Sequence, residues 1–170
     1  MNLQISKITR EFTNILEERI LNWPKLIQIV LGPRQVGKTT GVKQLFEKWQ
    51  GPKHFATADT PLSPTAGWII QQWNQARVAN SESLLVIDEI QKIPRWSEVV
   101  KKLFDEDRDS GKIKVILLGS ASLDLSRGLS ESLAGRYEII SVPHWSFYEC
   151  QLAFNWKLDD YLAYGGYPGS

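Results

Sequence analysis

Cysteine is almost missing from this chain: Cys150 is the only one in 170 residues. No internal disulfide can form, and a reducing compartment is the simpler expectation. Only His54 and His144 could join Cys150 as soft metal ligands, and the three lie far apart in sequence, without the close pairs of a zinc site. An excess of either charge is missing too, since 20 Lys and Arg face 19 Asp and Glu for a net charge of +1. That balance leaves no overall electrostatic footprint for nucleic acid. Long apolar runs are also lacking, and none approaches the roughly 20 residues of a membrane-crossing helix. Residues 1–13 are amphipathic with both charge signs, unlike a secretion signal. The expectation is a cytoplasmic protein with no membrane partner.

What the chain does hold is the balance of a folded domain, with 42% hydrophobic and 23% charged residues over a length that suits one α/β unit. Ile5, Ile8, Phe12, Ile15 and Leu16 recur at helical spacing and predict a helix over residues 3–21, stopped by Pro24. Residues 26–31, 54–58, 84–87, 113–118 and 137–142 read as five strands, and the continuous apolar runs among them suit strands buried on both faces. Between them, Val42, Leu45, Phe46 and Trp49 mark one helix, and Ala66, Ile69, Ile70 and Trp73 a second. Trp96, Val99, Val100, Leu103 and Phe104 mark a third, with Pro94 in its first turn. The acidic residues 105–109 predict a solvated helix end, and Lys101, Lys102, Lys112 and Lys114 predict solvated charges. Alternating strands and helices predict a three-layer α/β fold with a five-stranded, mostly parallel sheet. Past Pro143 the pattern turns to aromatic, helix-like pieces. The expected division is an N-terminal helix (1–22), an α/β core (23–143) and the start of a helical C-terminal region (144–170).

Gly32-Pro33-Arg34-Gln35-Val36-Gly37-Lys38-Thr39 matches the phosphate-loop pattern G-x-x-x-x-G-K-[ST]. Glycines let such a loop curl so that successive backbone N–H groups point at phosphate oxygens, and the following helix adds the positive end of its dipole. Lys38 is then expected on the β- and γ-phosphates, the Thr39 hydroxyl on Mg²⁺, and Thr40 beside them on the first helical turn. By residue usage the pattern arises by chance in about one chain of this length in 200. Its position between an expected strand and an expected helix sets it apart from an incidental glycine turn.

Residues 84–87 are four apolar residues leading into Asp88 and Glu89. Asp88, at the carboxyl end of its strand, is expected to hold Mg²⁺, and Glu89 to polarise a water against the γ-phosphate. The stretch between Lys38 and Asp88 has room for a helix, a strand and a second helix. Such an inserted strand separates the P-loop ATPases with an adjacent catalytic Glu from the kinase–GTPase group. The strand over 113–118 ends in Gly119-Ser120-Ala121-Ser122, where Ser120, with Ser122 in reserve, is placed to contact the γ-phosphate or its water. A plain turn serine remains the alternative.

The motifs GPRQVGKT (32–39), LLVIDEIQKIPRW (84–96), VILLGSASL (115–123), ESLAGRYEII (131–140), VPHWSFYE (142–149) and YGGYPG (164–169) follow in the order seen in one bacterial and archaeal family. The chain resembles the AAA-type P-loop ATPases whose ATP domain precedes a DUF4143 region, relatives of the archaeal-type and STAND ATPases. The resemblance runs from about Leu21 to Ser170. It implies that Gly32, Gly37, Lys38 and Thr39 bind nucleotide and that Asp88 and Glu89 are the Mg²⁺-binding and catalytic acids. It further implies Ser120 as the strand-tip sensor, Arg136 as an arginine directed at a neighbouring subunit's γ-phosphate, and Pro168 as a proline near adenine. For Arg136 the competing use is a surface ion pair with Glu131 or Glu138. Homo-oligomers are thus implied through Arg136, and nucleic acid only through a C-terminal part beyond Ser170.

The function expected is Mg²⁺-dependent ATP binding and hydrolysis coupled to such a C-terminal part. The alternative is a nucleotide-gated, STAND-like switch that seldom turns over. A small-molecule kinase lacks an acceptor-binding lid, and Asn155-Trp156-Lys157 lacks the spacing by which GTPases read guanine. Seven tryptophans are expected mainly in packing, although Trp145 and Trp156, lying after the sheet, are placed either to cover the base or to dock a further domain.

Overall fold

A computed structural model describes residues 8–22, 25–62, 64–79, 81–120 and 132–167. In chain order the elements are α1 (Glu11–Asn22), β1 (Ile27–Gly32), α2 (Lys38–Lys48), β2 (Lys53–Thr57), α3 (Ala66–Arg77) and β3 (Ser83–Asp88). A short 3₁₀ turn (Ile90–Lys92), α4 (Trp96–Asp107), β4 (Ile113–Ser120), β5 (Tyr137–Ser141), α5 (Phe147–Phe154) and α6 (Leu158–Tyr164) follow. The five strands form one sheet in the order β2-β3-β4-β1-β5, and every neighbouring pair is parallel.

Alternation along the strands explains the three layers. Ile27 and Ile29 of β1, Leu85 and Ile87 of β3, and Val115 and Leu117 of β4 face one side, where Trp73 of α3 and Val100 and Phe104 of α4 cover them. Val30, Leu84, Val86, Ile116 and Leu118 face the other, under Phe12, Leu16 and Ile20 of α1 and Val42 and Leu45 of α2. Phe12, Leu16 and Ile20 recur every four residues, which gives α1 its single apolar stripe. A third, smaller cluster joins Trp145 to Cys150 and Ala153 of α5, with Ile8, Phe154 and Trp156 around it. Its helix α5 opens with a reciprocal cap, Ser146 and Glu149 each satisfying the other's backbone N–H.

Several sequence expectations are corrected. The N-terminal helix begins at Glu11 rather than near residue 3; residues 8–10 are not helical, and residues 1–7 lie outside the described residues. Ahead of α1, Ile8 packs beside the Trp145 cluster and Arg10 bonds to backbone carbonyls of Val36, Pro143 and His144. Pro94 lies outside α4, which starts two residues later behind Arg95 in a left-handed conformation (φ 56°). Lys114 is not solvated. It is buried, donates to the Ile20 carbonyl at the end of α1 (2.7 Å), pairs with Glu82 (3.2 Å) and lies over the Trp49 ring. A cation at the negative end of a helix dipole explains the placement. The acidic end of α4 is likewise engaged, with Asp107 accepting from Trp73 Nε1 (2.7 Å) and Arg77 Nε (2.9 Å), and Asp105 pairing with Arg136. Tryptophan follows the packing expectation in α3 and α4, where Trp73 and Trp96 are buried.

Candidate active site

The loop after β1 is held by sterics. A Cβ on Gly32 would lie 2.2 Å from the Val142 carbonyl oxygen, so only glycine lets the strand end approach the segment after β5. Gln35 (φ 64°) and Gly37 (φ 88°) both take left-handed conformations, which turn the backbone back on itself ahead of α2. Between them Val36 is fully buried against the α1–α2 layer and pins the loop's middle. Pro33, Arg34, Gln35 and Thr40 lie around this curl with part or all of their surface open. Lys38, the first residue of α2, is buried, and its Nζ donates to the loop's own carbonyls of Gly32 (2.8 Å) and Pro33 (2.5 Å). The loop walls a cavity of about 640 Å³, with Glu89 facing it and Trp145 closing another side.

Parallel register brings the acids to this loop. β1 and β3 both pair with β4, so Asp88 and Ser120 reach the same end of the sheet as Gly32. Thr39 Oγ1 donates to Asp88 Oδ2 (2.9 Å), and the Glu89 amide donates to Asp88 Oδ1 (2.9 Å). Burial pushes the Asp88 carboxyl above its usual range, the Thr39 hydrogen bond opposes this, and the Glu89 charge adds to it. Burial lowers the Lys38 ammonium from its usual value, against the pull of Glu89 and Asp88. Burial therefore weighs against both charges, a penalty that a phosphate chain with a hard cation would offset. One hydroxyl and one carboxylate are the kind of oxygen donors that Mg²⁺ takes together with phosphate oxygens and water.

Glu89 stands just past β3 in a left-handed conformation (φ 55°), costly for a residue with a side chain and common where geometry is held for function. Gln91, in the 3₁₀ turn, donates from Nε2 both to Glu89 Oε2 (2.5 Å) and to Ser120 Oγ (3.1 Å). Asp59, beyond β2, and Lys92 form an ion pair on the cavity rim.

On the opposite flank the Arg10 guanidinium donates to the Val36 carbonyl of the loop (2.7 Å), to the carbonyls of Pro143 (3.2 Å) and His144 (3.4 Å), and through two nitrogens to Glu149 of α5 (2.9 and 3.0 Å). Its face lies 5.0 Å from the Trp145 ring, whose edge borders Gly37. Glu149 is lowered from its usual range: burial raises it, and the bonds from Arg10 and Ser146 outweigh that.

Most of the residues expected from sequence thus come together. Residues 32–40 form the loop, Asp88 reaches it through Thr39, and Ser120 is joined to Glu89 by Gln91. Arg136 is not among them. Its carbonyl accepts from Ile27 N (2.9 Å) at the start of β1, so about 16 Å of strand lies between it and the loop after Gly32. Its guanidinium makes a two-pronged ion pair with Asp105 of α4 (2.7 and 3.0 Å), not with Glu138, which lies 3.6 Å from Arg19. Ser122, Glu131 and Pro168 lie outside the described residues. Trp156 packs on Phe154 and Tyr164, away from the cavity lining. Sequence reasoning missed Arg10, Asp59, Gln91 and Lys92. Only Gln91 and Lys92 carried a signal, their nearness to the Asp88–Glu89 pair. Among the described residues no group of three or more His, Cys, Asp or Glu could hold a metal, and no helix is long and apolar enough to cross a membrane.

A fully parallel sheet in the order β2-β3-β4-β1-β5, with a glycine-bearing loop opening the helix after β1, is the architecture of an AAA-type P-loop ATPase domain. The chain belongs to the family described as AAA domain, whose family model matches residues 24–151. An uncharacterized protein of Mycobacterium tuberculosis is 34% identical over 116 residues, which are 68% of this chain and 24% of that protein. An uncharacterized protein of Methanocaldococcus jannaschii is 25% identical over 189 residues, covering 98% of this chain and 41% of the relative. The chain therefore spans well under half the length of these relatives. Among solved structures, a variant of Thermotoga maritima RuvB superposes with a TM-score of 0.56 at 20% identity, over 86% of this chain and 49% of that one. Caenorhabditis elegans PCH-2 gives 0.51 at 16% identity, over 77% and 40%. At these identities the likeness is one of fold.

Proposed function

We propose that this domain binds ATP with Mg²⁺ and hydrolyses its β–γ phosphoanhydride bond. The observation that carries the reading is the convergence on one cavity of Lys38, the Thr39–Asp88 hydrogen bond and Glu89. In this reading the N–H groups of residues 32–40 wrap the phosphates, and Lys38 leaves the Gly32 and Pro33 carbonyls for the β- and γ-phosphate oxygens. Thr39 and Asp88 hold Mg²⁺, which offsets the charge on the phosphate oxygens. Glu89 accepts a proton from water as its oxygen bonds to the γ-phosphorus. The bond from that phosphorus to the bridging oxygen breaks, and ADP and inorganic phosphate leave. Ser120 contacts the γ-phosphate end.

Glu89→Gln is the direct test. It should keep ATP affinity and slow single-turnover hydrolysis at least ~100-fold, the usual scale for a positioned general base. Hydrolysis at the wild-type rate would make Glu89 structural and favour the second reading, a nucleotide-gated switch with little turnover. That reading draws on the Arg10 bridge, which ties the loop to α5. In the longer relatives' arrangement, either cycle would act on the part of the protein beyond this domain, including any nucleic-acid contact.

Arg136 lies at the opposite end of β1 from its own loop, so its proposed partner is ATP on a second copy of the chain. Leaving Asp105 for phosphate, a trans-acting arginine is worth on the order of 10³–10⁵ in rate. Mixing Arg136→Ala with Lys38→Ala protein should then restore part of the lost activity. A mixture as inactive as its parts at every concentration, beside active wild type, would rule the role out.

A further inference from the structure

We infer that Gln91 is a positioning residue that sets Glu89 and Ser120 as a single unit for the attack of water on the terminal phosphate. This rests on the hydrolytic reading above and adds to it a residue outside the nucleotide-binding loop and the acidic pair.

The chemistry of the three side chains fixes their arrangement. A carboxylate only accepts hydrogen bonds, so the Gln91 group 2.5 Å from Glu89 Oε2 must be the amide nitrogen, and the amide orientation is not ambiguous. The same nitrogen reaches Ser120 Oγ at 3.1 Å. Both of its N–H bonds are then spent, one on each partner. Two consequences follow from counting donors. Ser120 receives a hydrogen bond on its oxygen, so its own O–H is free to donate elsewhere, as contact with a phosphate oxygen requires. Glu89 has one oxygen committed to Gln91, which stops its carboxylate from rotating and leaves the other oxygen to accept from water. A glutamate beyond the end of a strand has three rotatable bonds, and the left-handed backbone at Glu89 alone does not set them.

The amide oxygen of Gln91 is buried with no hydrogen-bond partner among the described residues. An unpaired buried carbonyl is costly, and single trapped waters commonly relieve it. Gln91 also joins two strand ends: Ser120 closes β4, and Glu89 follows β3, the neighbouring strand.

Gln91→Leu keeps the shape and removes the amide, and the full chain is the protein to use. Steady-state hydrolysis at a series of ATP concentrations should show kcat reduced at least ~10-fold with KM within about 2-fold of wild type, since general-base geometry is lost and phosphate binding is not. On a Glu89→Gln background the same change should do nothing further, because there is no base left to position. Ser120→Ala should slow wild type but have a smaller effect once Gln91 is Leu. If Gln91→Leu does not fold, Gln91→Met and the Ser120→Ala cycle carry the same test. An unchanged kcat, a loss confined to KM, or an equal loss on the Glu89→Gln background would overturn the inference. The hydrolytic reading fails separately, if Glu89→Gln itself turns over ATP at the wild-type rate.

Discussion

On the β3–β4 flank of the phosphate loop, polar side chains from a strand end, a helix start and a 3₁₀ turn meet with bonding capacity left over. Asp88 is raised by burial, Lys38 is turned onto its own loop, and the Gln91 amide oxygen has no partner among the described residues. On the β5 flank the opposite holds. Arg10 uses its guanidinium in five hydrogen bonds, reaching three backbone carbonyls and both oxygens of Glu149, which is every donor that an arginine has. A saturated cluster has little to offer a ligand and much to offer stability; an unsaturated one is the reverse. The loop is held from one flank and prepared for chemistry on the other.

The largest effect that would break this division belongs to the loop itself. Lys38→Ala should abolish ATP binding, measured by calorimetry with Mg²⁺, while leaving the melting temperature of the free protein close to wild type. Undiminished affinity would mean that the cavity does not receive phosphates. Next comes Arg10→Ala. Removing one partner of a buried charge pair costs about 3 kcal/mol, a fall of roughly 6–12 °C in melting temperature for a domain of this size. If that variant melts normally and instead loses hydrolysis alone, the β5 flank is chemical and the division is wrong.

The Arg10–Glu149 pair also responds to pH. Burial raises the Glu149 carboxyl, but the bonds from Arg10 and Ser146 outweigh it and leave its folded-state pKa below the ordinary glutamate value. Its stabilising contribution is therefore complete above the ordinary glutamate range and disappears as pH falls through the lowered value. Glu149→Gln should cost about 1 kcal/mol near neutral pH and progressively less on acidification. Thermal melts across that range provide the measurement. A cost that does not change with pH would place the bond's worth in shape rather than charge.

How far the sequence revealed each flank follows from the same contrast. The strands were legible because short, continuous apolar runs mark strands buried on both faces, and the loop and Asp88–Glu89 because their spacing is a local pattern. Arg10 was not, since its partners Val36, Pro143 and His144 are backbone carbonyls brought near only by the finished fold. Lys114 and Asp107 were misread for a related reason: a charge on an expected strand or helix end looks solvated until the opposing helix is in place. Gln91 stood beside the acids in sequence, but its second partner, Ser120, comes from another strand.

The strand order carries a consequence for synthesis. β1 leaves the ribosome before every other strand of the sheet, yet its neighbours are β4 and β5, residues 113–120 and 137–141. Until those residues exist, β1 has no strand to pair with, and the only parallel pair available to the growing chain is β2 with β3. Contacts this distant in sequence form slowly. The phosphate loop is thus made before the other strands of the sheet and framed only after them, and Val142, which closes on Gly32, arrives later still. A nascent chain stopped after β3 should leave its loop as open to proteases as any unfolded segment, and become protected only when β5 has been made.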